Sequence, residues 1–178
     1  MSKVFKIAVL GGILAALFTN VPPIAAQSAS DAPAPVPGQI RTAKKIFISN
    51  LGADAISAPV FRKEGEVDKT YNHFYAAMKA WGRYALVDNP DDADQVFEIR
   101  FITSLSGTGK IDSFTPQLVL TIVDSKTHFT LWTVAEPVEG AFLKSTWDKN
   151  FNRGISNLMD DLKALTAPGG AALQPADK

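Results

Sequence analysis

Alternating apolar and polar positions in the middle of the chain predict β-strands. Phe97, Ile99 and Phe101 alternate with Glu98 and Arg100, and this period of two is typical of a strand with one buried face. Other β-rich runs occupy residues 44–52, 83–87, 117–123 and 129–138. The short polar stretch 124–128 separates the last two runs, so they are predicted to form a β-hairpin.

Two other segments carry apolar residues at helical spacing. The first follows Asp68, a candidate N-cap, and ends at Gly82, a preferred C-cap residue. Its apolar positions are Tyr71, Phe74, Tyr75, Met78 and Trp81. The second covers residues 145–165, where Ser145 and Asp148 have the spacing of a capping box ahead of a continuous apolar stripe.

These elements predict an α/β fold of the α+β kind, with the order β-α-β-β-β-β-α. Two amphipathic helices need an apolar sheet face to cover. We therefore expect two layers, in which a mixed sheet of four to five strands packs both helices on one face and leaves its other face partly exposed.

The beginning of the chain has the three parts of a secretory signal peptide. Lys3 and Lys6 precede an uncharged apolar run, residues 7–18, and small residues follow at Ala25 and Ala26. A retained membrane anchor is less favoured, because spanning a bilayer takes about 18 to 20 apolar residues. We expect residues 1–26 to be a signal peptide for the general secretion route, because no pair of arginines precedes the apolar run.

The rest of the chain divides by composition. Residues 27–38 are rich in Pro and Ala and are expected to form a linker, and residues 167–178 a disordered tail. Between them, residues 39–166 are expected to form a single domain, long enough to bury a core.

Charge and cysteine content narrow the function classes. The 178 residues contain 18 Lys plus Arg and 18 Asp plus Glu, which argues against nucleic acid as a partner. Without Lys3 and Lys6 the exported protein would be slightly acidic. The chain has no Cys, so it offers no site for a lipid anchor of the bacterial lipoprotein kind. We therefore expect a periplasmic or secreted protein that is not a lipoprotein and keeps no membrane segment after signal removal.

Candidate chemistry is sparse. The two histidines, His73 and His128, do not have the spacing of a metal site. Residues 106–110 resemble the end of a phosphate-binding loop, but Ser104 and Ile111 fail two of its fixed positions. The acidic loop 88–94 could hold Ca²⁺, although polar turn chemistry explains it as well. We expect no catalytic residue, no metal and no cofactor.

Aromatic residues supply the remaining candidates for a site. On the first helix they could form a recognition patch, but at helical spacing they more often close a helix onto a sheet. Trp132 lies on the opposite strand face from Leu131 and Thr133, so it is a candidate for exposed apolar area. The predicted interaction surface comprises Trp132, Glu98, Arg100 and His128, of which His128 lies in the hairpin loop.

The order of these segments resembles bacterial envelope accessory domains of the CsgG, LpoB and TolB amino-terminal type. The matching places are Gly82-Arg83-Tyr84, Ala93-Asp94, and Val123-Asp124 with Thr127. This sequence departs from the family in having no lipidated Cys, in having His128 where the family has glycine, and in lacking long pore hairpins. The resemblance implies a non-catalytic envelope binding domain and transfers no functional residue.

Three functions therefore stay open at this point. The first is an exported non-catalytic binding module of the bacterial cell envelope, which contacts another protein as an accessory to assembly or transport. The second is a small secreted hydrolase or ligand-binding protein that uses the acidic loop or the glycine loop near Gly107. The third is a self-associating structural subunit that uses the exposed sheet face or an edge strand.

Overall fold

The computed structural model describes residues 35–54, 57, 68–107 and 112–168. These residues form three α-helices, α1 to α3, five strands, β1 to β5, and one short 3-10 turn. In chain order these are α1 (Gly38–Thr42), β1 (Lys45–Ala53), α2 (Lys69–Trp81), β2 (Ala85–Val87), the 3-10 turn (Pro90–Asp92), β3 (Gln95–Gly107), β4 (Asp112–Asp124), β5 (Thr130–Pro137) and α3 (Lys144–Thr166). The predicted order of strands and long helices is confirmed, and α1 is an addition.

The five strands form one mixed sheet in the order β2-β1-β3-β4-β5. β1 is parallel to both of its neighbours, and β3, β4 and β5 pair antiparallel. β1 pairs with β2 at only three positions, which end at Phe47 opposite Val87. Among the described strands, β2 and β5 are therefore at the edges, and β2 covers only the first part of β1.

Both long helices cover the same face of the sheet, as predicted. The core contains Phe97 and Phe101 of β3, Phe74 of α2, and Phe151 and Leu158 of α3, and all five are fully buried. Leu118, Leu120 and Ile122 of β4 point to this face as well and are equally buried. The opposite face has no helix on it among the described residues.

The helix termini differ in part from the sequence prediction. Gly82 is the C-cap of α2 with a left-handed φ of 67°, a conformation that glycine adopts without steric cost. Asp68 occupies the N-cap position, but its carboxylate accepts a hydrogen bond from the Asn50 side chain instead of capping the helix. The predicted capping box of α3 is wrong: the helix begins at Lys144, and its N-cap Leu143 has no side-chain cap.

The folded segment begins earlier than residue 39. Val36, which we assigned to the linker, is buried in the core, and α1 starts at Gly38. Ile40 of α1 is fully buried. Val36 stands between two prolines, so the local composition concealed its packing. Ala167 and Pro168 follow α3, and the other residues of the predicted tail, like the signal peptide and most of the linker, lie outside the described part of the chain.

Within the described part of the chain, no helix combines the length and the apolarity that a membrane crossing would need.

Candidate interaction site

The structure separates the four residues of the predicted interaction surface. Trp132 pairs with Ile122 of β4 and packs against the core, so it lies on the helix-covered face. Glu98 and Arg100 pair with Thr121 and Val119 and lie on the opposite face. The proposed grouping of Trp132 with these two charged residues is therefore wrong. Alternation showed that Trp132 and Thr133 face opposite ways, but only the packing of the helices shows which face is covered.

His128 lies apart from the other three residues. It is exposed in the turn between β4 and β5, where its backbone N–H donates to the Asp124 carbonyl at 2.9 Å. Its φ of 59° is in the left-handed region, which favours glycine. The Asp124 carboxylate accepts hydrogen bonds from Lys126 and Thr127 in the same turn. His128 is therefore part of a local turn structure and does not lie beside Glu98 or Arg100.

A different set of residues stands out by exposed apolar area. Leu51 is 47% exposed, Phe114 58% and Leu143 68%, and Phe142 is fully exposed. We call these four residues the apolar pole. Large exposed side chains of this kind mark interaction surfaces when they lie on one side of a protein.

The sheet register places the apolar pole at one end of the sheet. Leu51 lies near the end of β1, where Ala53 pairs with Phe101 of β3. Phe114 lies near the start of β4, opposite Leu105 of β3. Phe142 and Leu143 follow β5, whose last residue, Pro137, pairs with Gln117 of β4. All four therefore lie at the end of the sheet where β1, β3 and β5 finish and β4 begins.

The loop that carries Phe142 and Leu143 is attached to its neighbours at its beginning. Before it, the Val138 N–H donates to the Pro116 carbonyl at 2.8 Å. The Asn150 side chain donates to the Glu139 carbonyl at 3.0 Å, and Arg153 forms an ion pair with the Glu139 carboxylate at 2.7 Å. The segment just before Phe142 is therefore bonded to both β4 and α3.

The beginnings of α2 and α3 meet at the same end. Lys69 and Asp148 form an ion pair at 2.5 Å, and Lys144 reaches the other oxygen of Asp148 at 3.0 Å. These two lysines, Lys69 first, lower the pKa of Asp148. The Lys69 side chain is only 12% exposed and lies over the Phe151 ring. The pairing holds the two helices together beside the apolar pole.

A groove opens between α2 and the edge of the sheet. Its volume is about 560 Å³, and its lining residues are Phe47, Ile48, Tyr71, Tyr75, Leu86, Val87 and Asp88. Tyr71 and Tyr75 lie one helical turn apart, with ring centroids 5.8 Å apart. We call this the Tyr71–Tyr75 groove. The aromatic stripe of α2 is thus divided: Phe74 and Met78 are core, whereas Tyr71 and Tyr75 line an open groove.

A second groove of about 570 Å³ lies between α2 and α3. Ala77, Ala80 and Trp81 line one side, and Ile155, Ser156, Met159, Asp160 and Lys163 line the other. Lys163 and Asp160 form an ion pair at 2.8 Å along the α3 side of the groove.

The acidic loop proposed as an alternative ligand site has a structural use. Asp94 accepts hydrogen bonds from the backbone N–H groups of Lys44 at 2.7 Å and Lys45 at 2.9 Å. These bonds lower the pKa of Asp94. Asn89 accepts a hydrogen bond from the Asp91 N–H within the 3-10 turn.

Among the described residues, no three His, Asp or Glu side chains are placed to share a metal ion. The tip of the glycine loop, residues 108–111, lies outside the described part.

Sequence reasoning missed both the apolar pole and the Tyr71–Tyr75 groove. Phe114 stands between Ser113 and Thr115, and Phe142 and Leu143 stand next to each other without periodicity, so no pattern in the sequence shows whether these side chains are buried. For the groove there was a partial signal, since two tyrosines one turn apart can keep their hydroxyl groups in water while their rings pack.

Comparison with known proteins assigns no family. No family model and no curated protein matches the chain. Among solved structures, it is similar to the PelC dodecamer from Paraburkholderia phytofirmans, with 12% identity, a TM-score of 0.42, and coverage of 73% of this chain and 91% of that chain. Lipoprotein GNA1162 from Neisseria meningitidis is 12% identical with a TM-score of 0.36, over 66% of this chain and 99% of that chain.

A third similar structure is an uncharacterized lipoprotein B from Nitrosomonas europaea, with 10% identity, a TM-score of 0.35, and coverage of 75% of this chain and 90% of that chain. None of these matches tests the resemblance to the CsgG, LpoB and TolB type, which stays a prediction. Two of the three are named lipoproteins, and they lend no support to our expectation of a protein without a lipid anchor. At these identities and TM-scores, the likeness assigns neither a family nor a function to this chain.

Proposed function

We propose that this protein is an exported, non-catalytic binding module of the bacterial cell envelope, which acts by contact with another protein. The apolar pole is the observation that carries the proposal. Phe142 and Leu143 have most of their surface in water, and they follow Val138 and Glu139, which are hydrogen-bonded to β4 and α3. Burying two such side chains in a partner would remove apolar surface from water. The signal peptide predicted at residues 1–26 supports the location.

The test is crosslinking followed by capture from the native envelope, with the double variant Phe142→Ser and Leu143→Ser. Interface side chains of this kind contribute more than about 1 kcal/mol each when they are central to a contact. We expect recovery of the crosslinked partner to fall at least about tenfold, which corresponds to about 1.4 kcal/mol.

The matched control is Phe129→Ser. Phe129 is 72% exposed but lies in the turn between β4 and β5, at the other end of the sheet from Phe142. It should leave the recovery of the same partner unchanged. If Phe129→Ser lowered the recovery of the partner as much as the double variant does, a specific role for the apolar pole would be refuted. Turnover of ester, phosphate, glycoside or peptide substrates by the purified protein would refute a non-catalytic role.

Self-association is a second candidate, and the outer edge of β5 favours it. β5 is eight residues long and ends the sheet, so within the described residues only its β4 side is paired. An exposed strand edge offers backbone hydrogen bonds to another chain. Sedimentation equilibrium should then show a mass that rises with concentration, and a constant monomer mass up to millimolar protein would exclude this candidate.

A further inference from the structure

The Tyr71–Tyr75 groove lies beside an incompletely paired part of β1. The Lys44 carbonyl, just before β1, accepts from the Ala85 N–H on the β2 side, and the Lys45 carbonyl accepts from the Asp94 N–H on the β3 side, each at 2.9 Å. Because backbone groups alternate along a strand, the even-numbered residues of β1 face β2. The last pair with β2 is Phe47 with Val87. The Ile48 carbonyl and the backbone of Asn50 therefore extend beyond β2.

The two sides of β1 differ at Ile48 and Asn50. On that side Ile48 pairs with Phe97, and Asn50 pairs with Ile99. On the β2 side, no strand among the described residues continues past Val87. An edge of unpaired backbone groups can accept an additional extended chain as a new strand.

Aromatic rings form the wall above this edge. Tyr71 and Tyr75 lie on one face of α2 and both line the groove, with Leu86 of β2 beside them. Tyr75 is 36% exposed. An added strand directs every second side chain toward the helices. A groove with tyrosine walls provides an apolar place for such a side chain and leaves the hydroxyl groups in water.

Acidic groups stand at both ends of the exposed edge. Asp88 lines the groove beside Ile48, and Asp68 binds the Asn50 side chain at 2.8 Å. Both are exposed. No described residue that lines the groove is basic, and the nearby Lys69 is paired with Asp148 toward α3. The charge of this edge is therefore complementary to a cationic chain.

We propose that the Tyr71–Tyr75 groove binds an extended, basic peptide segment of a partner protein, which adds to the sheet along β1 where β2 ends. An apolar side chain of the segment enters the groove between the tyrosines, and a flanking Lys or Arg lies against Asp88. This inference rests on the proposed role in protein contact and names a partner chemistry for a second surface, distinct from the apolar pole.

The test measures fluorescence anisotropy with three synthetic peptides. The first is Lys-Val-Thr-Val-Thr-Val-Lys, an alternating extended sequence with basic ends. The second replaces both Lys with Glu. The third keeps the Lys residues but carries N-methyl groups on alternate amides, so that it cannot donate backbone hydrogen bonds on one edge. We expect saturable binding of the first peptide and at least tenfold weaker binding of the other two.

Variants then locate the site. Tyr75→Ala and Asp88→Asn should each weaken binding of the basic peptide at least fivefold, whereas Tyr75→Phe should retain it. Phe129→Ala removes an exposed aromatic ring at another place and is the control. In a ¹⁵N spectrum, the amides that shift on titration should include those of residues 48–50.

Several outcomes would overturn the proposal. Equal affinity for the basic and acidic peptides would remove the charge argument, and equal affinity for the N-methylated peptide would remove strand addition. Nuclear Overhauser contacts between Tyr75 and residues 58–67 in the free protein would show that the chain itself fills the groove.

The failure of this inference can be told apart from failure of the proposed function. If the peptides do not bind but the double serine variant at Phe142 and Leu143 still loses its envelope partner, only the groove proposal fails. If the peptides do not bind and the double serine variant also keeps its envelope partner, both proposals fail.

Discussion

Asp94 connects the beginning of β1 to the beginning of β3. One of its carboxylate oxygens accepts from two consecutive backbone N–H groups, those of Lys44 and Lys45. The side chain is exposed, yet these bonds fix the register at which two strands distant in sequence enter the sheet. A single residue of the acidic loop thus has a structural role that explains its charge without a bound ion.

Asp94→Ala should destabilise the protein by about 1 to 2 kcal/mol at neutral pH, because two backbone donors lose a charged acceptor. The Lys44 and Lys45 N–H groups lower the pKa of Asp94 below 3.8, so its stabilising effect is present above that pH and is lost as the pH falls through the folded-state pKa. Urea unfolding of both proteins, at pH 7 and at lower pH values, measures this. The difference in free energy of unfolding between the wild type and Asp94→Ala should become smaller in acid.

Asp91→Ala is the control for this prediction. Asp91 is exposed in the 3-10 turn, where its backbone N–H donates a hydrogen bond to the Asn89 side chain. Replacing the Asp91 side chain leaves this bond in place. Its substitution should change the free energy of unfolding by less than about 0.5 kcal/mol. If the loss of unfolding free energy in Asp94→Ala stayed the same as the pH was lowered, the stabilising role of the ionised Asp94 carboxylate would be contradicted.

At the scale of elements, Gly154 lets α3 lie close to the sheet. A Cβ at this position would stand 3.0 Å from Val138 Cγ2 and 3.2 Å from Leu118 Cδ1. Glycine inside a helix is unfavourable relative to alanine by about 1 kcal/mol. Close packing of α3 on β4 is therefore obtained at the expense of local helix propensity.

Gly154→Leu should destabilise the protein by about 1 to 3 kcal/mol, because the added side chain overpacks the contact between helix and sheet. Thermal unfolding checks this. Gly140→Leu is the matched control, since nothing lies within 4 Å of a Cβ there. If Gly154→Leu were as stable as the wild type, the close approach of α3 would not be a constraint.

For the whole molecule, the remaining prediction concerns export. When the full chain is expressed in a bacterium with a general secretion system, we expect the cell to remove residues 1–26, so that the protein begins at Gln27. Intact mass and amino-terminal sequencing measure this. Lys3→Glu together with Lys6→Glu should slow export, because the basic start is part of the signal, whereas Lys149→Glu in the exported domain should not. An uncleaved protein in the cytoplasm would contradict the prediction.

Local patterns in the sequence were sufficient to predict the strands and the two long helices. The alternation at Phe97 to Phe101 predicts β3, and the apolar stripes predict α2 and α3, because side-chain periodicity follows directly from strand and helix geometry. The order of the elements and the covering of one sheet face by both helices are confirmed for the same reason.

The chain by itself could not determine which surfaces stay open. Trp132 faces the core, although its strand alternation allowed either face, and Phe142 is exposed despite its apolar neighbours. Asp148 binds Lys69 of the other long helix instead of capping its own. Each outcome depends on contacts between residues far apart in sequence. The sequence therefore determined the periodicity of each segment, whereas tertiary packing alone decided which apolar and charged groups are left for a partner.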